Sequence, residues 1–385
     1  MKKVIYIFII VMLLIFNLTA CYNNELTENN DQAENKNQNE KEIQENEKDK
    51  NEERAKIKLE EMTIEEKIGQ VFLVRFPIKE ERDHYMSMYP GGFILFGRDF
   101  KDKTKEEVKN DIKEYQNISK IPMIIGVDEE GGTVVRVSSN PLLTDEIFKS
   151  PQELYAIGGY EEIYKDSIKK SESLLNLGIN LNLAPVADVS TSRNDFIYDR
   201  SFGLPAKETS KYVKTVVEAM NEAGISSTLK HFPGYGNNVD THTGSSIDKR
   251  PYRNFVENDF LPFIEGIKSG TDSVLVSHNV IESIDAEFPA SLSKKVIDIL
   301  INDLNFNGVI ITDDLTMGAI QELDTEISPE VMAILAGNDM LIVTDFEKSY
   351  EELLNSVNVG GVKIEQIDKA VLKILKWKYS KGIIK

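Results

Sequence analysis

The chain alternates short apolar runs with longer stretches in which apolar residues recur at helical spacing. Apolar runs of about four to eight residues predict strands, and longer amphipathic stretches predict helices. The predicted strands are Gln70–Phe76, Gly92–Phe96, Met123–Val127, Asn180–Ala187, Ser226–Lys230, Ser273–Ser277, Val309–Thr312 and Asp339–Val343. The predicted helices include Lys103–Gln116, Glu162–Leu177, Ala206–Ala223, Asn254–Lys268, Lys294–Leu304 and Ile364–Lys381. Eight strands that alternate with helices predict an α/β fold with a parallel sheet covered on both faces.

The number of strand–helix units indicates how the sheet is arranged. Eight units within residues 55–385 fit a single (β/α)8 TIM-like barrel with insertions. A doubly wound open sheet is the alternative, because periodicity alone does not establish closure. In a parallel barrel, the residues that follow the strands gather at the C-terminal face, where active sites lie.

Polar residues follow six of the predicted strands. They are Asp128, Asp188, Lys230 with His231, His278, Asp313, and Thr344 with Asp345. One such residue alone is more often a helix cap or a satisfied buried polar group. Six positions together, with three of the four histidines of the chain among them or just after them, favour a functional site.

The N-terminus has the pattern of a secretory signal. Lys2 and Lys3 precede an apolar run from Val4 to Phe16, which is shorter than the roughly 20 residues that span a bilayer. We therefore predict a signal peptide over 1–20. Residues 18–21 resemble a bacterial lipobox, which implies that Cys21 becomes a lipidated mature N-terminus. A plain signal peptide or membrane anchor helix with an incidental cysteine is the alternative.

The segment behind the signal differs sharply in composition. Residues 22–54 contain eleven acidic and five basic residues, with nine asparagines. Such a segment cannot bury enough apolar surface to offset its chain entropy. We predict a disordered acidic and Asn-rich tether over 21–54, followed by one folded catalytic domain over 55–385. The expected location is extracytoplasmic, with the protein lipid-anchored to the bacterial cell membrane.

Charge and cysteine content exclude several classes of function. The chain carries 64 Asp and Glu against 45 Lys and Arg, a formal net charge of −19. This balance argues against a nucleic-acid partner, which needs clustered cations. One cysteine excludes an internal disulfide, and four scattered histidines offer no metal-ligand spacing. We expect no metal and no cofactor.

Two segments carry recognisable chemistry. The first is Lys230–Gly236, a loop with one proline and two glycines directly after a strand, followed by Asp240 and His242. An Asp-x-His triplet can orient an imidazole and stabilise its charged form. The second is Thr312–Met317, in which two aspartates follow a strand. Helix capping explains either aspartate alone equally well.

Seven motifs in order resemble glycoside hydrolase family 3, and within it the β-N-acetylhexosaminidase branch. They are Met62–Gln70, Gly91–Phe96, Val127–Gly132 with Arg136 following, Ala184–Val189, Arg200–Gly203, the Lys-His-Phe-Pro-Gly loop, and Thr312–Leu315. The resemblance covers nearly the whole body of the chain. It implies a retaining exo-β-N-acetylhexosaminidase that cleaves terminal GlcNAc from cell-wall-derived or related glycans, and we expect a monomer.

The resemblance also implies the roles of individual residues. Asp313 is the expected nucleophile, and His242 is the expected general acid/base with Asp240 as its partner. The hydroxyls and N-acetyl group of the sugar are expected to contact Asp128, Arg136, Arg200, Lys230 and His231. Several residues depart from common family patterns and leave substrate preference open: Glu129, Thr133, Tyr235, and Ser245 with Ser246.

Other functions stay open at this point. The same fold could carry a β-glucosidase or an N-acetylglucosaminide phosphorylase. A lipid-anchored solute-binding protein would also have a lipobox, a tether and an acidic domain, but it would show two similar α/β lobes. Such a binding protein does not explain Asp313 or the loop that carries Asp240 and His242.

Overall fold

The computed structural model describes residues 47–238, 244 and 246–385. The predicted signal peptide, Cys21 and the tether up to residue 46 lie outside these residues. Residues 47–60 form a helix, α1, so the last part of the predicted tether is helical. No helix in the described ranges has the length and apolar character needed to cross a membrane.

Eight parallel strands form the central sheet. They are β1 (Phe72–Arg75), β2 (Gly92–Leu95), β3 (Ile124–Val127), β4 (Leu181–Asn182), β5 (Ser226–Phe232), β7 (Ser273–Val276), β9 (Val309–Thr312) and β10 (Leu341–Val343). Their order is β10-β1-β2-β3-β4-β5-β7-β9. A parallel bridge between Ile311 and Met340 joins the two outer strands. The sheet therefore closes into the predicted barrel, and the open-sheet alternative is not supported.

Helices surround the sheet and connect its strands. They are α2 (Ile64–Gln70), α3 (Arg82–Ser87), α4 (Gly97–Phe100), α5 (Lys105–Ile118), α6 (Pro151–Asn176), α7 (Ala206–Ala223), α8 (Tyr252–Asn254), α9 (Phe260–Lys268), α10 (Lys294–Asp298), α11 (Gly318–Gln321), α12 (Pro329–Ala336), α13 (Phe346–Asn358) and α14 (Ile364–Ser380). Two short strands, β6 (Ile247–Asp248) and β8 (Val280–Ile281), pair in parallel at the edge of the barrel. Residues 55–385 form one compact unit, whereas a solute-binding protein would show two lobes.

Local sequence signals explain where the long helices begin and end. Ser150 caps α6, and its hydroxyl accepts a hydrogen bond from the Glu153 backbone N–H while Glu153 reaches back to the cap. This reciprocal pair satisfies donors that the first helical turn leaves unpaired. Gly224, with φ of 85°, ends α7, because a left-handed residue after a helix favours glycine. Because β3, β4 and β5 pair in parallel, their C-terminal ends lie at one face of the sheet.

The barrel strands are buried along almost their whole length. The residues of β2, β3, β7 and β9 are all buried. Such strands are covered by helices outside and filled by side chains inside, which explains their continuous apolar runs. The last residue of β1, Arg75, is only half-buried, because it lies where the strand reaches the open face.

Candidate active site

A pocket of about 310 Å³ opens at the C-terminal face of the barrel. Six residues predicted from the sequence line it together: Asp128, Arg136, Arg200, Lys230, His231 and Asp313. They come from the ends of β3, β5 and β9 and from the loops after β3 and β4. Arg75, Phe96, Asp314 and Thr344 also line the pocket. This convergence of charged side chains in one concave site is typical of an enzyme active site.

A buried network of four charges supports one wall of the pocket: Asp128, Lys230 and Arg200 line the pocket, and Glu130 forms ion pairs with both cations. Lys230 Nζ lies 2.6 Å from Asp128 Oδ1 and 2.6 Å from Glu130 Oε1. Arg200 donates to both oxygens of Glu130, with Nε–Oε2 at 3.0 Å and Nη2–Oε1 at 2.7 Å. Two cations and two carboxylates therefore hold one another in place, which fixes the side chains before any substrate binds.

Glu130 is the centre of this network. Burial alone would raise its pKa, but the charges of Lys230 and Arg200 and their hydrogen bonds outweigh burial. The pKa of Glu130 therefore lies well below its usual range. Glu130 stays ionised across the whole physiological pH range and keeps both cations oriented.

His231 is held between a cation and a buried carboxylate. Its Nε2 lies 3.1 Å from Arg200 Nη2, and its Nδ1 lies 2.8 Å from Asp188 Oδ2. Because a guanidinium only donates, Nε2 is the acceptor and Nδ1 carries the proton that is donated to Asp188. Asp188 also accepts from the backbone N–H groups of His231 and Tyr235, at 3.0 Å and 2.7 Å. Tyr235 packs edge-on against the imidazole, with ring centroids 5.1 Å apart.

Asp313 directly follows β9 and lines the same pocket as Asp128, Lys230 and Arg200. Its Oδ1 accepts a hydrogen bond of 2.9 Å from the Asp314 backbone N–H. Asp314 itself turns towards Thr344, whose hydroxyl donates to Oδ2 at 2.8 Å. Below them, His278 is buried, and its Nε2 lies 3.0 Å from the Asp314 carbonyl oxygen. The two neighbouring aspartates therefore have different hydrogen-bond partners, although both line the pocket.

Glu129 organises the loop that follows β3. Its carboxylate is fully buried and accepts from the backbone N–H groups of Arg136, Val137 and Ser138, at 2.7, 2.7 and 3.2 Å. The Ser138 hydroxyl donates to the same carboxylate. These bonds fix the backbone of Arg136 at the pocket. A neutral side chain at position 129 would offer fewer acceptor sites for these donors.

The predicted Asp240 and His242 lie outside the described residues. The structure shows what holds the two sides of that segment. Asn238 Nδ2 donates to Asp248 Oδ2 at 2.6 Å, and Arg250 forms ion pairs with Asp248 at 2.7 Å and Asp259 at 3.0 Å. Burial raises the pKa of Asp259 to about 6, against the opposing effect of Arg250. Both ends of the segment are therefore anchored to the barrel.

Two glycines are required where this loop leaves β5. Gly234 has φ of 118°, and a Cβ there would lie 2.5 Å from Asp259 Oδ1. Gly236 has φ of 55°, and its Cβ would lie 2.3 Å from the guanidinium carbon of Arg250. Other residues rarely adopt such φ values. The glycines of this motif thus allow the loop to approach the anchoring ion pairs closely.

Sequence reasoning did not single out some pocket residues. Glu130 lies beside a predicted residue but gave no signal of its own, since its role depends on the distant Lys230 and Arg200. Arg75 and Phe96 end their strands, yet alternation alone does not say which side chains point into a barrel. In the described ranges, no group of three or more His, Cys, Asp or Glu residues could hold a metal ion.

Comparison with known proteins identifies relatives along most of the chain. The family model for the glycosyl hydrolase family 3 N terminal domain matches residues 63–377. A beta-hexosaminidase of Actinobacillus pleuropneumoniae serotype 5b (strain L20) is 31% identical over 282 residues, which are 71% of this chain and 79% of that protein. A beta-hexosaminidase of Hydrogenovibrio crunogenus is 28% identical over 285 residues, 72% of this chain and 78% of that protein.

Solved structures are also similar to this chain over most of its length. The glycoside hydrolase family 3 beta-N-acetylglucosaminidase from Paenibacillus sp. str. FPU-7 is similar with a TM-score of 0.78 and 28% identity over 84% of this chain. This chain spans 63% of the length of that protein. A beta-N-acetylhexosaminidase from Beutenbergia cavernae, at 23% identity and a TM-score of 0.74, is covered over 99% of its length and supports the fold.

Proposed function

The chain belongs to glycosyl hydrolase family 3 and is a glycoside hydrolase, and we propose that it is a retaining exo-β-N-acetylglucosaminidase. Its substrates are glycans with a terminal β-linked GlcNAc, derived from the cell wall or related material. The beta-hexosaminidase relatives support this substrate class. The observation that carries the proposal is the single pocket that Asp313 lines together with Asp128, Lys230, Arg200 and His231.

The wall binds and orients the terminal sugar in this proposal. A pocket of about 310 Å³ lies at the small end of the range for ligand sites, roughly 300–1,000 Å³. A site of this size fits exo action, in which one sugar ring enters and the remainder of the glycan stays outside. Carboxylate oxygens accept from sugar hydroxyls, and the fixed cations donate to sugar oxygens. Positioning by such prearranged groups lowers the entropic cost of reaching the transition state.

Asp313 attacks the anomeric carbon of the bound sugar. A covalent glycosyl-enzyme forms through its carboxylate while the glycosidic oxygen leaves with a proton. We assign the proton donor to His242, oriented by Asp240. After departure of the aglycone, the same imidazole takes a proton from water, whose oxygen attacks the anomeric carbon and displaces the Asp313 carboxylate. Two displacements at one carbon retain the anomeric configuration.

The N-terminal sequence supports an anchored location. Cys21, in the lipobox-like segment, would carry the lipid, since multiple acyl chains give stable attachment where one chain does not. The tether before residue 47 would let the domain reach glycans at some distance from the membrane. We further propose that the enzyme acts as a monomer at the outer face of the bacterial cell membrane.

Hydrolysis of matched chromogenic glycosides tests this function. We expect 4-nitrophenyl β-GlcNAc to be cleaved much faster than 4-nitrophenyl β-glucoside, and the rate to be independent of inorganic phosphate. Preference for the glucoside would indicate a β-glucosidase. Phosphate-dependent release of GlcNAc 1-phosphate would indicate a phosphorylase. Absence of release from either glycoside would refute the proposed activity.

A further inference from the structure

Arg75 is a cation of the pocket for which the described part of the chain provides no carboxylate within ion-pair distance. It ends β1, and its guanidinium carbon lies 5.1 Å from the ring centroid of Phe96, which also lines the pocket. Its Nε atom is buried without a hydrogen-bond partner. Among the described residues, its guanidinium forms no hydrogen bond and no ion pair with a carboxylate. Lys230 and Arg200, by contrast, are both matched by Glu130.

A buried donor without a partner is costly, at about 1–3 kcal/mol, and more for a charged group. A cation–π contact with an aromatic ring contributes only about 0.5–2 kcal/mol of stabilisation. Stacking also uses the face of the guanidinium and leaves its N–H edge for another group. That edge is a fork that matches two oxygens of one oxyanion. The guanidinium of Arg75 is therefore suited to bind an oxyanion.

The position of Arg75 separates it from the wall that binds the sugar. In the strand order β10-β1-β2-β3-β4-β5-β7-β9, β1 is four strands from β5 and so lies across the barrel from Lys230. Asp313 on β9 is two strands from β1. A sugar held against Lys230, with its anomeric carbon at Asp313, leaves Arg75 on the side beyond that sugar.

We propose that Arg75 forms an oxyanion subsite of this pocket, which receives a carboxylate carried by the aglycone next to the cleaved bond. The proposal rests on the proposed glycosidase function. Arg136, whose Nε is also buried without a hydrogen-bond partner, is a further positive charge of the pocket. A free oxyanion such as phosphate shares the same chemistry and would occupy the same edge.

Two probes of the same shape, one charged and one neutral, test the subsite. The pair is 3-carboxyphenyl and 3-carbamoylphenyl β-GlcNAc, and kcat/KM is measured for each with the wild type and with Arg75→Gln. We expect the wild type to favour the carboxylate, and the variant to lose roughly tenfold to hundredfold on the carboxylate probe alone, the value of a charge-assisted hydrogen bond. Arg75→Lys keeps the charge without the fork and should lose less.

Arg82→Gln is the matched control, because Arg82 pairs with Asp83 and Glu114 outside the pocket and should leave the ratio of the two probes unchanged. Thermal melting shows whether each variant is folded. An equal loss on both probes would overturn the proposal, because Arg75 would then serve the sugar or Asp313. Acceleration by inorganic phosphate that disappears in Arg75→Gln would instead support a subsite filled by a free oxyanion.

A binding measurement distinguishes failure of this inference from failure of the proposed function. Calorimetric titration of Asp313→Asn with the two glycosides needs no turnover. Tighter binding of the carboxylate probe, lost on adding Arg75→Gln, would support the subsite even if the wild type hydrolysed neither probe. Equal affinity for the two probes, together with no effect of phosphate on hydrolysis, would refute the subsite while leaving the glycosidase function intact.

Discussion

Replacing Glu130 by Gln should destabilise the folded protein. The carboxylate accepts three hydrogen bonds from two cations: 2.6 Å from Lys230, and 3.0 Å and 2.7 Å from Arg200. An amide keeps one acceptor oxygen and turns an NH₂ group towards donors. Lys230 retains Asp128, but Arg200 loses its bidentate partner.

The expected loss follows from the cost of breaking a buried ion pair. Removing one partner of such a pair costs about 3–5 kcal/mol of folding free energy. Because Lys230 keeps its contact with Asp128, we expect the loss for Glu130→Gln near the lower end of this range. Urea unfolding of the whole chain measures this difference. The matched control is Glu146→Gln, an exposed ion-pair residue, which should change the free energy of unfolding little.

At low pH, the wild type should lose its higher free energy of unfolding relative to Glu130→Gln. Since the pKa of Glu130 is lower in the folded state than its ordinary 4.5, the unfolded chain binds more protons as the pH falls below about 4.5. Stability from this carboxylate is therefore present above that pH and is lost progressively below it. The gap between wild type and Glu130→Gln should shrink from pH 7 towards pH 3. A gap under about 1 kcal/mol at pH 7, or one unchanged by acid, would refute this reasoning.

Three further predictions concern the loop after β5 and the opposite end of the chain. His242→Ala should lose roughly 10²–10⁴-fold in kcat with natural leaving groups and much less with an activated one; equal losses would disprove the acid role. Gly234→Ala should lower both stability and activity, because its Cβ would lie 2.5 Å from Asp259 Oδ1; an unchanged melting temperature would contradict this steric argument. Burial lowers the pKa of Lys378 to about 7. The unfolded chain then binds more protons between about pH 7 and 10, so stability should rise with pH there, and Lys378→Met should flatten the rise in urea unfolding; an identical slope would rule out this lysine as its source.

Strand positions were the most predictable part of the fold. All eight predicted strands overlap an observed strand, because buried parallel strands give continuous apolar runs that are easy to recognise. Their ends were less certain: the predicted strand Gln70–Phe76 begins inside α2, since Gln70 closes that helix. Closure of the barrel depends on the Ile311–Met340 bridge, a contact that periodicity cannot indicate.

Helix bounds were harder to predict where the sequence breaks its own pattern. The helix predicted to begin at Glu162 begins at Pro151, and Gly158 and Gly159 interrupt its geometry. Two glycines in a helical stretch lower its intrinsic propensity, although the Ser150 cap marked the true start. The predicted helix Asn254–Lys268 is divided between α8 and α9, with a wider π-type turn over Phe255–Asp259 between them.

Some residues of the site could likewise be predicted from the sequence, and others could not. Residues such as Asp128, Lys230 and Asp313 could be found because they follow strands in recognisable motifs. Glu130 and Arg75 could not, because their roles depend on which side chains the barrel brings opposite them. Pairing with Arg200 and stacking on Phe96 are long-range contacts that leave no local signal in the sequence.

Covalent trapping tests the central assignment most directly. The protein is incubated with an activated 5-fluoro analogue of GlcNAc, which slows breakdown of a glycosyl-enzyme, and the labelled peptide is identified by mass spectrometry. The account predicts one label per chain, attached to Asp313 and absent from Asp313→Asn. A label on any other carboxylate, or undiminished labelling of Asp313→Asn, would contradict it.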